Sequence, residues 1–273
     1  MKQLNKMTLG LLLCAYLFSP LLYAQEAAKK ATVMVVTTVH WNMDKTDGSN
    51  DAWMALEKEY FDKVTSKNEF ILRANFLTHA FTADNSEAIW VTLYENWDAI
   101  EDANDRTNEL IMEGWPDEAA RAKFMAEQSS YYTNMHSDEI YSVLDGGKAI
   151  TERSTEPMIY YVRVSQMASP DDAVPGEMAA MRKEFNENVT FKNEYILGYY
   201  IYRHMWGADN RNLTEVYAVN SLCDIEASFD KNQELMDAKW SEDEQKARGE
   251  KMSKYWTGIH GDYIWRNVPA LVK

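Results

Sequence analysis

Five histidines are the residues of this chain best suited to acid–base or ligand chemistry, and four of them fall in two matched pairs, His79 with His204 and His136 with His260. Imidazole titrates near neutrality, so each can move a proton or offer a lone pair to iron or another metal. His40 stands without a histidine partner. At the spacing that relates the pairs, Thr38 and His40 correspond to Arg163 and Ser165. Strand alternation puts His79 on one face with Ile71, Arg73, Asn75 and Leu77, and His204 on one face with Tyr200, Tyr202 and Trp206. These mixed faces are the expected lining of a cavity. His79, His204, His136 and His260 are therefore the catalytic candidates, and Arg73, Asn75, His40, Arg163, Tyr200 and Tyr202 the ligand-binding candidates. A plainer reading stands beside this one. His136 near Asp138 and His260 near Asp262 would anchor the start of a strand by hydrogen bonding, and a duplication leaves matched residues behind whatever their role.

The other sequence signals are mostly negative. No phosphate-binding glycine loop, dinucleotide glycine pattern, nucleophile elbow, HExxH or CxxC run is present, so no nucleotide, flavin, structural zinc or other metal site is assigned. Asp84-Asn85 and Asp209-Asn210 look like a repeated carboxylate site, but Asp-Asn pairs are favoured in turns for their local backbone bonds. Nine Trp and sixteen Tyr are in keeping with a stacking wall for an aromatic ligand, or with aromatic residues packing strands.

The 273 residues carry 28 Lys plus Arg against 43 Asp plus Glu, a formal charge of −15. Such a surface repels phosphate backbones and anionic lipid, which argues against nucleic acid and membrane partners. Residues 1–24 read as a secretory signal: Lys2 and Lys6, an apolar run from Met7 to Leu22, and Leu22-Tyr23-Ala24 before Gln25-Glu26. Cleavage after Ala24 would leave an exported, periplasmic or extracellular chain, soluble and bearing Cys223 alone, with no internal disulfide to hold it.

The elements that must position the histidines come from the repeat. Glu59–Asn85 and Glu184–Asn210 are identical at 12 of 27 positions at an offset of 125 residues, and the stretch around His136 recurs around His260 at an offset of 124. Within the first register, Trp90 corresponds to Glu215. The units run over 32–144 and 157–268, joined by the polar, glycine-containing linker 145–156. Each opens on a β-branched and aromatic strand, 33–39 or 158–164. An apolar stripe at helical spacing follows, through Trp53, Leu56, Tyr60 and Val64 or Met178, Met181, Phe185 and Val189. Asn68 and Asn193 suit a left-handed turn at its end. Strands over 70–81 and 88–94, or 195–206 and 214–219, then form a hairpin, with Phe70, Leu72, Ala74 and Phe76 as the apolar face for helices to cover. Asn96 or Ser221 caps the next helix. A further helical piece begins at Pro116, or at the Ser241–Glu244 capping box. The last strand spans 140–144 or 263–268.

This βαββαβ order, with a strand running through Tyr94-Glu95-Asn96-Trp97-Asp98-Ala99-Ile100 into a capped helix, resembles the dimeric α/β-barrel superfamily of ferredoxin-like proteins. Antibiotic-biosynthesis-type monooxygenases, haem-degrading monooxygenases, stress-responsive barrel proteins and the NIPSNAP family belong to it, and chlorite-dismutase-like haem proteins are similar. The resemblance implies an α+β fold in which two tandem ferredoxin-like repeats pair their sheets into one intramolecular barrel of the dimeric type. Pairing also has an independent cause, since a sheet with helices on one face needs cover on the other. The expected function is binding of a small aromatic or apolar molecule in a histidine- and aromatic-lined cavity between the repeats. Two alternatives remain: a cofactor-independent or haem-using monooxygenase-like oxidoreductase, with His79, His204, Arg73 and Arg163 holding the substrate, and a solid-cored protein-interaction module.

Overall fold

The computed structural model describes residues 32–151 and 154–273, so residues 1–24, the expected signal, lie outside it. Among the described residues no helix is long and apolar enough to cross a membrane. The elements follow in the order β1 (Val33–Trp41), α1 (Asn50–Tyr60), β2 (Ile71–Phe81), β3 (Glu87–Tyr94), α2 (Asp98–Gly114), α3 (Glu118–Ser129), β4 (Tyr132–Val143), then β5 (Ile159–Met167), α4 (Glu177–Phe185), β6 (Gly198–Trp206), β7 (Asn212–Val219), α5 (Leu222–Lys239), α6 (Glu242–Ser253) and β8 (Trp256–Val272). A π-helical turn, Phe61–Thr65 or Asn186–Thr190, extends α1 and α4 alike.

The eight strands close into one barrel in the order β1-β3-β2-β8-β5-β7-β6-β4. Each repeat contributes a four-stranded antiparallel sheet with its first strand beside its last. The sheets join at two seams, β2 with β8 and β4 with β6. Closure leaves no unpaired sheet edge. Inside the barrel, Leu77 and Ile89 of one repeat meet Tyr160, Ala218 and Trp265 of the other in a shared apolar cluster. Ile150 of the linker joins that cluster, and its amide donates to the Tyr200 hydroxyl at 3.2 Å. In this part of the interior, side chains of both repeats and of the linker pack together.

Outside the barrel, each helix layer is fastened by the same device. Asn68 and Asn193 are fully buried, and each Nδ2 donates across to the following helix, to the Ala103 carbonyl at 2.8 Å or the Ser228 carbonyl at 2.8 Å. Each Oδ1 accepts the amide two residues on, from Phe70 at 3.1 Å or Tyr195 at 3.0 Å. Neither adopts the left-handed conformation expected of it, since no described non-glycine residue has positive φ. These asparagines work through their amides, as buried polar groups must when they have partners to satisfy.

Other sequence expectations move by definite amounts. Ser221 and Ser241 form capping boxes with Asp224 and Glu244, but α3 is capped by Asp117, and Pro116 precedes the helix instead of opening it. The last strands begin eight and seven residues before the positions expected from hydropathy, at Tyr132 and Trp256. Their polar early halves pair with β1 and β5 in spite of low apolar content. In β2 a register shift between Ile71 and Arg73 breaks the alternation. Ile71 packs with Ala74 under α2, Leu72 is exposed, and Asn75, Leu77 and His79 turn to the barrel interior. A bulge of this kind redirects every side chain on one side of it.

Candidate functional site

The helix-facing side of the sheet differs sharply between the repeats. In the first it is filled by rings: Trp41 packs edge-on to Trp53 at 5.0 Å, Phe76 lies 4.6 Å from Trp90, and Trp41 stacks on Tyr132 at 5.3 Å. Beneath them Glu57 is buried and accepts hydrogen bonds from the Tyr132 hydroxyl at 2.9 Å and from Gln128 at 3.1 Å. Burial is the main influence on this carboxyl and raises its pKa.

In the second repeat the corresponding positions hold Met167, Met178, Ile201, Glu215 and Arg182 in place of Trp41, Trp53, Phe76, Trp90 and Glu57. A groove of about 690 Å³ lies between the sheet and α4–α6, and of these five residues Glu215 and Arg182 line it. Its walls are apolar, from Met181, Phe185, Met236, Trp240, Met252 and Trp256. Phe185 and Trp240 stack at 6.4 Å with an interplanar angle of 6°, and the Arg248 guanidinium covers Trp240 at 4.2 Å while pairing with Glu184 at 2.6 Å. An apolar concavity with a few convergent polar groups is the usual form of a small-molecule site.

The polar groups converge on one carboxylate. The Tyr199 hydroxyl donates to Glu215, and Tyr217 lies against Tyr199 with ring centroids 4.9 Å apart. Burial first, with the charge of Glu215 second, pushes both phenols well above the usual tyrosine pKa. They therefore stay protonated and act as donors near neutral pH. Arg163 and Arg182 also line the groove, the former with Nη1 3.8 Å from Asp262.

Arg163 reaches the groove because of a one-residue change in register. Trp41 opposes Tyr132 and Met167 opposes Trp256, so the first strands of the repeats are related by 126 positions. Arg163 consequently matches Thr37, Ser165 matches Val39, and Gln166, not Ser165, matches His40. Thr37 and Arg163 both face Asp residues on the last strand: Thr37 Oγ1 donates to Asp138 at 2.6 Å, as Tyr161 donates to Asp262 at 2.6 Å. Strand side chains alternate with period two, so this single step moves Arg163 from the barrel interior to the helix side.

The remaining candidates are dispersed. His204 lies inside the barrel with a side chain 1% exposed, 3.9 Å from Glu139, and neither ring nitrogen has a hydrogen-bond partner. Gly207 closes over it: a Cβ there would stand 2.7 Å from the imidazole, and its φ of 133° suits glycine. Asn75, Tyr200 and Tyr202 share that interior, the two tyrosine rings nearly parallel at 6.4 Å. Arg73 is exposed on the rim, donating to the Leu72 carbonyl. His136 is largely in solvent, 3.8 Å from Asp138. His40 and His79 stand at one end of the first repeat, where His79 Nδ1 meets Thr82 Oγ1 at 2.7 Å. Only Arg163 and His260 of the ten sequence candidates line the groove. The groove residues that the histidine pattern passed over were announced by the exchange of Trp90 for Glu215, a carboxylate where the duplicate keeps an aromatic ring.

His260, the one histidine in the groove lining, does not suit a haem iron. Its Nε2 lies 3.3 Å from Asp262 and its Nδ1 3.4 Å from the Gly258 carbonyl, so both ring nitrogens already face acceptors. In the groove, therefore, no imidazole presents a nitrogen without an acceptor beside it.

No family model matches the sequence, and no curated protein matches it significantly. Solved structures do match. A provisionally named monooxygenase from Fusobacterium nucleatum superposes with a TM-score of 0.58 at 13% identity, covering 87% of this chain and 93% of that one. A second provisionally named monooxygenase, from Lactobacillus acidophilus NCFM, gives 0.52 at 7% identity over 89% and 96%. A substituted chlorite dismutase from Candidatus Nitrospira defluvii gives 0.53 at 10% identity over 90% and 96%. At these identities the likeness is one of fold, and the fold is that of the dimeric α/β-barrel proteins, with both halves of the barrel supplied by a single chain.

Proposed function

We propose that this chain binds a small, largely apolar or aromatic molecule bearing an acidic or hydrogen-bonding group, in the groove over the second repeat's sheet. The observation that carries the reading is the replacement of the packed Trp90 by Glu215, together with the phenol and arginine side chains gathered beside it. The methionine and tryptophan walls supply apolar area, adaptable in shape because thioether side chains are flexible. Arg163 and Arg182 supply the charge for an acidic substituent. Export through the leader of residues 1–24 would place this binding in the periplasm or outside the cell, and the intact mass of the exported protein tests the cleavage.

The test of binding is native mass spectrometry and tryptophan fluorescence of the full chain against a panel of aromatic acids and phenols. Glu215→Trp restores the first repeat's residue and fills the groove. The reading predicts saturable binding that this substitution abolishes. Binding that survives Glu215→Trp, or no binding across the panel, would sink it.

A second reading, a cofactor-independent monooxygenase-like oxidoreductase, is favoured by Glu215 itself. A carboxylate held by a protonated phenol at the floor of an apolar groove is placed to take a proton from a bound phenolic substrate. Two of the structural neighbours carry monooxygenase names. Oxygen uptake that depends on ligand and falls in Glu215→Gln would favour this reading, whereas unchanged binding without oxygen uptake leaves the carrier.

A further inference from the structure

We propose that His40, Asp84 and Glu87 form a binding site for a divalent transition-metal ion at one end of the first repeat. His40 Nε2 lies 3.7 Å from Asp84 Oδ2 and 3.7 Å from Glu87 Oε1, and one ligand atom from each residue lies within 4.8 Å of the others. A tetrahedral ion with bonds of about 2.0–2.1 Å requires ligand atoms roughly 3.4 Å apart, so small side-chain adjustments complete the geometry. One imidazole and two carboxylates, with room for water, suit zinc or manganese better than a hard alkaline-earth ion.

The ligand atoms are held by their outer partners. His40 Nδ1 is 3.2 Å from the Met135 carbonyl, which can only accept, so Nδ1–H donates there and Nε2 is the nitrogen turned to the carboxylates and available to a metal. Asp84 Oδ1 accepts from the Ser86 amide at 2.8 Å and the Ser86 hydroxyl at 2.6 Å, leaving Oδ2 toward His40. His79 stands beside this loop, its Nδ1 donating to Thr82, whose hydroxyl in turn donates to the Asp84 carbonyl. Among the described residues no Lys or Arg pairs with Asp84 or Glu87.

The second repeat shows how the same place looks when a cation is built in. Gln166, Asp209 and Asn212 take the positions of His40, Asp84 and Glu87. There Gln166 Nε2 donates to Asp209 at 3.0 Å, and Arg211, in the position of Ser86, clasps the same carboxylate through Nε at 3.0 Å and Nη2 at 2.8 Å. The second repeat carries its own guanidinium and one carboxylate. The first repeat has two carboxylates, an oriented imidazole and no fixed cation, which is the arrangement a metal completes. None of the three residues lines the groove, so this site stands apart from the proposed ligand function.

The test is isothermal titration of chelator-treated full-length protein with zinc sulfate. The expected result is one saturable equivalent. Loss of an outer partner of a metal ligand commonly weakens binding about 10–100-fold, so loss of a ligand should weaken it at least tenfold. His40→Gln and Glu87→Asn install the second repeat's own residues and should each have that effect, while His136→Gln should have none. Circular dichroism reports whether each variant is folded. Should one unfold, the visible spectrum of cobalt bound to the unsubstituted protein gives the second reading, with tetrahedral bands expected. Absence of zinc binding, binding that survives both substitutions, equal loss in His136→Gln, or a cobalt spectrum unchanged from the free aqueous ion overturns the proposal.

Discussion

The Tyr199 hydroxyl donates to Glu215 at the place where, in the first repeat, Trp90 lies against Phe76 with ring centroids 4.6 Å apart. One half of the barrel uses this position to fill its helix–sheet space and the other leaves a groove with a carboxylate at its floor. Two halves of common sequence have thus separated into a packed half and an open half.

Stability and binding should separate along the same line. Phe76 is fully buried among aromatic rings, so Phe76→Ala is expected to cost about 3–5 kcal/mol, measured by urea unfolding. Glu215→Gln keeps an acceptor for Tyr199 and should change stability by less than about 1 kcal/mol while weakening any ligand that depends on the carboxylate. A large stability loss in Glu215→Gln would show the carboxylate to be structural.

Leu271, near the end of β8, is fully buried in the first repeat's core with Trp53, Phe61 and Phe76, although the strand that carries it begins in the second repeat. Leu271→Ala should cost about 2–5 kcal/mol and should lower hydrogen-exchange protection in α1 ahead of α4. Equal loss in both helices would contradict this account of the tail as a clamp on one repeat.

Glu57→Gln should stabilise the protein at neutral pH. Burial raises the pKa of Glu57 in the folded state, so its folded form is unpenalised below the unfolded value near 4.5 and loses stability as pH rises through its folded value. An uncharged glutamine keeps one acceptor oxygen for the Tyr132 hydroxyl, and Gln128 regains its bond by turning its amide so that its own oxygen accepts from the new Nε2. The thermal midpoint of Glu57→Gln should exceed that of the unsubstituted protein at pH 7, and the difference should vanish below about pH 4. A difference constant across that range would rule out the titration of Glu57 as its source.

Asn68→Ala and Asn193→Ala should cost similar amounts, about 2–4 kcal/mol, because each strands buried backbone groups of two elements at once. Chemical denaturation of the two variants compares them directly. A cost at one site alone would show that the matched geometry does not carry matched energy.

The sequence by itself determined the duplication, the order of elements in each repeat and the need for the two sheets to cover one another. These follow from local periodicity, turn and cap residues, and the exposure of an apolar sheet face, all of which are legible in consecutive residues. Ser221 with Asp224 and Ser241 with Glu244 are examples, because a capping box involves only its own turn. Tertiary structure decided where the chemistry lies. The bulge at Leu72 and the change from 125 to 126 in the first-strand register set which face Ile71 and Arg163 occupy, and a period-two strand turns one residue of slip into the opposite side of the sheet. The groove likewise depends on residues contributed by separate elements, Arg163 and Glu215 from strands and Arg182, Met236 and Arg248 from helices. The juxtaposition of His40 with Asp84 and Glu87 depends on pairing between β1 and β3, strands whose partners are fixed only when the sheet forms.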